Sequence, residues 1–170
     1  MPLSITIKDI PALSRLSLSH SGQLAGMSNS NYCRTVVNAL KNLRGRQLKD
    51  VPAENILITC AKDGWYKKGN EGVAGPFASG SKMFQGANWV AKVTRGSNDY
   101  AHCSHLIYLY DQHMNPLVAR WLEDNSRAFD DAYALTELIQ WVWRSRVRKG
   151  QQITLYLPSP RMRRLMEEWL

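Results

Sequence analysis

The chain has 170 residues, a length that suits one domain, and 44% of them are hydrophobic, which excludes a chain that is disordered by its composition. No apolar run is long enough to cross a bilayer, and the first residues lack the basic start and long apolar stretch of a secretion signal. We therefore expect a cytoplasmic protein that does not bind membranes. The net charge of +8 attracts polyanions and favours nucleic acid, either DNA or RNA, as the partner.

The N-terminal part of the chain has the weakest pattern. Residues 1–28 are rich in Ser, Leu and Gly without a clear period, and we interpret them as a poorly defined leader with one strand at residues 4–7. Periodic segments begin at residue 29, so residues 29–170 are assigned to one α/β domain. Its first predicted element is a helix over residues 29–46, which an Asn or Ser caps and Gly45 closes.

Short apolar runs and amphipathic stretches alternate along the rest of the chain. Strands are predicted at residues 56–59, 88–96, 105–111 and 152–158, and helices at residues 115–125, 130–148 and 159–170. The stretch 63–86, dense in glycine and lysine, is expected to be a loop. This alternation predicts a layered α/β fold, a largely parallel sheet flanked by helices. The core of the sheet is expected at Ile56, Ile58, Val90, Leu106, Tyr108, Ile153 and Leu155.

The stretch GPFASGSK, residues 75–82, resembles a phosphate-binding P-loop, but its last two residues are in the wrong order. In a P-loop the lysine precedes the hydroxyl residue, because the lysine reaches the terminal phosphates and the hydroxyl holds magnesium. Here Ser81 precedes Lys82, and the residues that follow do not begin like a helix. We therefore interpret the stretch as a basic loop, and we expect neither a nucleotide cofactor nor ATPase activity.

A second candidate for anion binding follows the predicted strand at residues 88–96. The turn at residues 93–100 contains Arg95 and Asn98 beside a glycine, and ligands of parallel sheets collect where strands end. Backbone N–H groups of such a turn can also surround an anion. An ordinary turn, with Gly96 and Asn98 chosen for their backbone geometry, explains the pattern equally well.

The strongest signal is a basic segment near the C-terminus. Seven basic residues and no acidic residue occur between Arg144 and Arg164. Arg144 and Arg148 follow Gln140 at helical spacing, and a returning strand would bring Arg161 and Arg164 alongside them. Like charges on neighbouring elements repel one another, and arginine suits phosphate through its bidentate guanidinium. These residues are therefore predicted to form one surface that binds the phosphate backbone.

Two tryptophans lie in the same segment and are expected to differ in exposure. Trp143 shares a helical spacing with apolar residues and is predicted to be buried. Trp141 lies nearer the arginines, where it could stack on a guanidinium or on a base.

Histidine and cysteine residues form no known catalytic or metal-binding pattern in the sequence. His102, Cys103 and His105 lie close together, but their spacing fits no common zinc site, so no metal is expected. The three cysteines of the chain are far apart and predict no disulfide framework. Catalysis by the isolated chain is not expected, and these three residues would be the first to test if it occurred.

Residues 90–170 resemble the C-terminal, second RecA-like lobe of superfamily-two helicase-like proteins encoded by phages, plasmids and integrating elements. The helicase motif Q-x-x-G-R-x-x-R is matched at Gln140 and Arg144, whereas Trp143 and Val147 replace its glycine and last arginine. Arg148 lies one residue later. The resemblance implies a RecA-like fold in which Arg144 approaches a phosphate group. The chain has no first lobe with a P-loop, so the resemblance implies a lobe without its own motor.

Two functions follow as expectations. The first is a nucleic-acid-binding accessory module with a helicase-like fold, which could also dock on a partner ATPase. The alternative is a protein-binding regulator or inhibitor of mobile-element origin, whose interface would use the tryptophans rather than the lysines. Under that alternative, the residues of interest are Trp65, Trp121, Trp141 and Trp169.

Overall fold

A five-stranded parallel sheet organises the computed structural model, which describes residues 3–78, 84–93, 98–123 and 126–170. In chain order its strands are β1 (Ile5–Lys8), β2 (Ile56–Thr59), β5 (Asn88–Trp89), β6 (His105–Tyr108) and β7 (Ile153–Tyr156), and their spatial order is β1-β7-β6-β2-β5. The two remaining described strands, β3 (Tyr66–Lys67) and β4 (Asn70–Ala74), form a separate hairpin. The main helices are α1 (His20–Gly26), α2 (Ser30–Arg46), α4 (Pro116–Trp121), α5 (Arg127–Val142) and α6 (Pro160–Trp169). The predicted layered α/β fold with a parallel sheet is therefore confirmed.

The central strands are apolar on both faces because both faces of the sheet are covered. All four residues of β2 are buried, and its neighbour β6 pairs with it from Ile56 opposite His105 to Thr59 opposite Tyr108. A strand that is buried on both sides reads as a continuous apolar run rather than as an alternation. All seven core positions expected from the sequence are buried, including Val90 just beyond β5.

The helices divide between the two faces of the sheet. Leu57, Leu106 and Leu155 pack with α5 and α6 on one face. Ile56, Ile58 and Ile107 pack with α2 on the other face. The connections that leave β6 and β7 therefore cover one face, and those that leave β1 and β2 cover the other.

The N-terminal residues belong to the domain and are not a separate leader. The predicted strand is present, and β1 extends the sheet by pairing in parallel with β7, with Ile5 opposite Ile153. Leu13 and Leu18, which follow β1, are buried. The sequence pattern of β1 is weak because β1 is an edge strand with one exposed face. Only two of its residues pack against the core, which is too few to show a clear period.

The predicted loop at residues 63–86 contains regular structure. A four-residue helix, α3 (Lys62–Trp65), leads into an antiparallel hairpin of β3 (Tyr66–Lys67) and β4 (Asn70–Ala74). The turn at Gly69 requires a positive φ of 79°, which glycine adopts without strain. Ser81 and Lys82 lie outside the described residues, and of the described residues that follow them Phe84 has 3₁₀ geometry and Gln85 and Gly86 form a turn.

Side-chain caps begin the helices where the sequence predicted them. Asn29 Oδ1 accepts hydrogen bonds from the backbone N–H groups of Asn31 and Tyr32, and Ser159 Oγ accepts one from Met162. Helix α2 continues past Gly45 to Arg46, so that glycine does not close it. No helix in the described part of the chain is long and apolar enough to span a membrane.

Candidate functional site

The basic segment at residues 144–149 lies at the amino edge of the sheet, between the end of α5 and the start of β7. The backbone N–H of Arg146 donates to the carbonyl oxygen of Cys103, which precedes β6, at 3.2 Å. Its Nε donates to the carbonyl oxygen of Gln152, which precedes β7, at 2.6 Å. The segment is thus attached to the amino ends of two central strands.

Helix α5 ends earlier than the sequence predicted because Ser145 interrupts it. The Ser145 hydroxyl donates to the carbonyl oxygen of Val142 at 2.7 Å and accepts from the backbone N–H of Val147 at 3.4 Å. Its ψ of −176° takes the chain out of the helix and into a 3₁₀ turn, Arg146–Lys149. Arg144 and Arg148 therefore do not share a helical face with Gln140, which is exposed on α5 itself.

Asn98 and Arg148 meet at this edge, although fifty residues separate them in the chain. Arg148 Nη1 donates a hydrogen bond to Asn98 Oδ1. The carbonyl oxygen of Asn98 also accepts from the backbone N–H of Ala101 at 3.2 Å, which fixes the turn before β6. Two residues that the sequence assigned to phosphate binding are therefore in direct contact. Arg95, which the sequence assigned to the same turn as Asn98, lies outside the described residues.

Arg144 has the least satisfied side chain of the segment. Its Nε and Nη1 atoms are shielded from solvent and have no hydrogen-bond partner in the described part of the chain. Burial lowers the pKa of Arg144, while the nearby Tyr100 opposes this effect. A guanidinium remains charged at neutral pH, so its unpaired N–H groups favour an anionic acceptor.

The segment carries four cations without a carboxylate at ion-pair distance among the described residues. Arg148 and Lys149 are exposed, and Arg144 and Arg146 are partly buried. We name Asn98, Arg144, Arg146, Arg148 and Lys149 the amino-edge cluster. Because no described carboxylate pairs with its cations, this cluster is a concentration of positive charge at the amino edge of the sheet.

Arg161 and Arg164 do not belong to this cluster, which corrects the predicted single surface. Both lie on α6, which follows the carboxyl end of β7, whereas Arg148 precedes the amino end of that strand. Strand β7 therefore separates the two pairs of arginines.

Carboxylates already neutralise Arg161 and Arg164. The three nitrogens of the Arg161 guanidinium contact Asp111, Asp130 and Asp131 at 2.8–2.9 Å. Arg164 contacts Asp131 at 3.2 Å and Glu168 at 3.1 Å. The charge count between residues 144 and 164 missed these partners because three of them come from other elements.

The solvent exposures of the two tryptophans are the reverse of those that the sequence predicted. Trp141 is 0% exposed, and its ring centroid lies 5.2 Å from that of Tyr108. Its Nε1 donates a hydrogen bond to the carbonyl oxygen of Val90 at 3.3 Å. Trp143 is 43% exposed and directly precedes Arg144. The missed signal was the spacing of Ala134, Leu138, Trp141 and Val142, which together form the buried face of α5.

The histidine and cysteine residues before β6 have structural partners. Cys103 is fully buried, and burial raises the pKa of its thiol to about 11, which suppresses the reactive thiolate. His102 Nε2 lies 2.9 Å from the carbonyl oxygen of Glu54, and His105 Nδ1 lies 2.8 Å from the hydroxyl of Ser104. The described residues contain no group of three or more His, Cys, Asp or Glu side chains that could hold a metal ion.

Comparison with known proteins assigns the domain to a family. A family model described as the YonV C-terminal Rossmann-like domain matches residues 5–170. Among individual proteins, the SPbeta prophage-derived protein YonV of Bacillus subtilis (strain 168) is 39% identical over 77 residues. The matched stretch covers 45% of this chain but only 19% of that relative's length.

The expected relation to phage proteins is confirmed at the level of a Rossmann-like domain with a prophage-encoded relative. No solved structure matches the chain. The family match begins at the first residue of β1 and continues to the end of α6, so it includes every strand of the parallel sheet. The chain therefore belongs to the family of YonV C-terminal Rossmann-like domains.

Proposed function

We propose that the protein is a nucleic-acid-binding accessory module, and that the amino-edge cluster contacts the phosphate backbone. The observation that carries this proposal is the group of four cations at residues 144–149, which have no ion-pair partner among the described side chains. Phosphates would supply the missing negative charge to these cations.

The cluster is suited to positioning a strand rather than to reading its sequence. Arginine and lysine contacts to phosphate are independent of base identity, so the proposed affinity is electrostatic and depends on salt. Trp143, which directly precedes Arg144 in the chain, is 43% exposed, and its ring is the candidate stacking surface for an unpaired base. Single-stranded nucleic acid is therefore the favoured ligand.

The helicase resemblance is part of this proposal. Gln140 and Arg144 carry the motif match, and Arg144 is the residue of that motif with unsatisfied donors. Under the proposal, the domain acts as a lobe without its own ATPase motor and binds nucleic acid alone or beside a partner ATPase. We propose a cytoplasmic site of action, where such partners occur.

A titration of single-stranded and duplex oligonucleotides at two salt concentrations tests the proposal. Replacing Arg148 and Lys149 together with alanine should weaken binding of any sequence and lower the slope of log affinity against log salt by about one to two units. Arg164→Ala is a suitable control, because it removes the same type of charge from an arginine that already has two carboxylate partners.

Two results would contradict the proposal. One is the absence of binding at low salt. The other is a loss of affinity per removed charge that is as large in the Arg164→Ala control as in the amino-edge variant, which would show that only net charge matters.

A protein-binding regulator is the second candidate, and helix α4 is the observation that favours it. Trp121 is 81% exposed and Leu117 is 71% exposed on this helix, and Val118 and Leu122 beside them are also exposed. Clustered exposed apolar side chains, tryptophan above all, are typical of protein interfaces. Affinity capture with the wild-type chain and with Trp121→Ala tests this candidate, since a specific partner must be lost with Trp121 and retained with Trp143→Ala.

A further inference from the structure

A second region with unsatisfied polar groups lies at the opposite, carboxyl edge of the sheet. Strands β6 and β2 are neighbours, but the chain leaving β6 packs on one face and the chain leaving β2 packs on the other. In open parallel sheets, such a reversal opens a crevice beyond the carboxyl ends of the two strands, and ligands bind there.

A cavity of about 560 Å³ occupies this region. Its walls come from the start of α1, the residues after β5, the residues after β6 and the middle of α5, and its polar lining includes Ser19, His20, Lys92, Gln112 and Tyr133. The volume is within the range of about 300–1,000 Å³ that is typical of small-molecule sites. Four separate parts of the chain thus converge on one concave space.

Gln112 is a buried polar residue in the wall of this cavity. Its side chain is 2% exposed, and its Oε1 atom is shielded from solvent and has no hydrogen-bond partner among the described residues. Its backbone is held in place, because Arg161 Nη1 donates to its carbonyl oxygen at 2.6 Å. Thr59 and Tyr108, the last residues of β2 and β6, also have buried hydroxyl oxygens without partners among the described residues, but these two residues do not line the cavity. Buried polar atoms without partners are rare in proteins, and ordered water often satisfies them.

Lys92 supplies a positive charge to the same space. Its ammonium lies 4.5 Å from the centre of the Tyr110 ring and makes no ion pair with a carboxylate in the described ranges. Burial lowers the pKa of Lys92, while Glu137 opposes this effect. Burial and the charge of Lys92 also lower the pKa of His20, which places these two side chains in one electrostatic environment.

We propose that this carboxyl-edge cavity binds a small anionic molecule, whose charged group pairs with the Lys92 ammonium. The site is distinct from the amino-edge cluster, since the length of the parallel strands separates the two edges. The ligand is a phosphate- or carboxylate-bearing metabolite rather than a polymer, because the cavity is concave and of limited volume.

Nuclear magnetic resonance titrations of the full chain with inorganic pyrophosphate and with succinate, at constant ionic strength, test the proposal. Saturable shifts of the amide signals of Ser19, His20, Lys92 and Gln112 are expected with at least one probe, and the comparison separates phosphate from carboxylate recognition. Lys92→Met should weaken binding of that probe about tenfold to a hundredfold, the range for one lost charged hydrogen bond. Gln112→Leu should weaken it less.

Lys49→Met is the matched control, because Lys49 is an exposed lysine outside the cavity. This control should leave the affinity unchanged. If Lys92→Met does not fold, Lys92→Gln replaces it, and the shifts of the wild-type chain still locate the site. The proposal is overturned if neither probe shows saturable shifts, if the shifts centre on residues 144–149, or if Lys49→Met weakens binding as much as Lys92→Met.

Discussion

The guanidinium of Arg148 donates a hydrogen bond to the side-chain oxygen of Asn98, and this contact joins the turn before β6 to the turn before β7. Asn98 thereby orients a basic side chain that is otherwise exposed. An arginine whose conformation is already restricted loses less entropy when it binds a phosphate.

We predict that Asn98 and Arg148 act as a unit in nucleic-acid binding. Asn98→Ala should weaken oligonucleotide binding modestly, by up to about tenfold, because the arginine loses its orientation but keeps its charge. Arg148→Ala should weaken it more, and the double variant should resemble Arg148→Ala alone. A double-mutant cycle of binding free energies measures the coupling, and strictly additive losses would contradict the positioning role.

Substitution of Trp141 should affect the stability of the fold, whereas substitution of Trp143 should affect binding. Trp141→Ala removes a fully buried ring and should lower the free energy of unfolding by about 3–5 kcal/mol, as measured by urea denaturation. Trp143→Ala should change it by less than about 1 kcal/mol, because that ring is partly exposed. In binding assays, the Trp143 variant should lose affinity for single strands but keep its affinity for duplexes. The opposite order of stabilities would contradict the structure.

Asp131, which contacts both Arg161 and Arg164, should give the protein a characteristic acid dependence. Burial would raise the pKa of Asp131, but hydrogen bonds and charge from Arg161 and Arg164 outweigh it and hold the pKa below its usual value. A group with a depressed pKa in the folded state stabilises the fold above its unfolded pKa of about 3.9, and this stability is lost as the pH falls through the folded value. Acid should therefore destabilise the wild-type chain below about pH 4.

Arg161→Met should reduce this acid dependence and should also destabilise the fold at pH 7. The variant leaves Asp111, Asp130 and Asp131 close together without their shared partner, which we expect to cost about 1–3 kcal/mol at this partly exposed position. Thermal unfolding of both chains between pH 3 and pH 7 tests the two effects together. An unchanged pH profile in the variant would show that the arginine does not hold these carboxylates.

The three cysteines should differ in their reactivity toward an alkylating reagent. Burial raises the pKa of Cys60 to about 12 and that of Cys103 to about 11, and both side chains are inaccessible. Cys33 is only partly buried. Peptide mass spectrometry of the native protein after timed alkylation should therefore find Cys33 modified first, and all three modified equally only after denaturation. Early modification of Cys103 would indicate that the amino edge of the sheet opens.

Local sequence patterns determined the elements that depend on neighbouring residues. The apolar runs at residues 56–59, 105–111 and 152–158 predicted three strands, because a strand covered on both faces must be apolar throughout, and the structure has strands within each run. The capping residues Asn29 and Ser159 likewise marked helix starts, because a cap bonds to residues two or three positions away. The cation-rich segment at residues 144–149 was also visible as an excess of one charge.

Only the tertiary structure decided which of these cations have a carboxylate partner among the described residues. Arg161 lies opposite carboxylates that are thirty to fifty residues away in the chain, so a count of neighbouring residues could not show that it is neutralised. Strand β1 joins β7 across almost the whole chain, and Asn98 meets Arg148 only because two turns share one edge of the sheet. The carboxyl-edge cavity combines four distant segments in the same way. Such contacts depend on the order of strands in the sheet, which local periodicity does not encode.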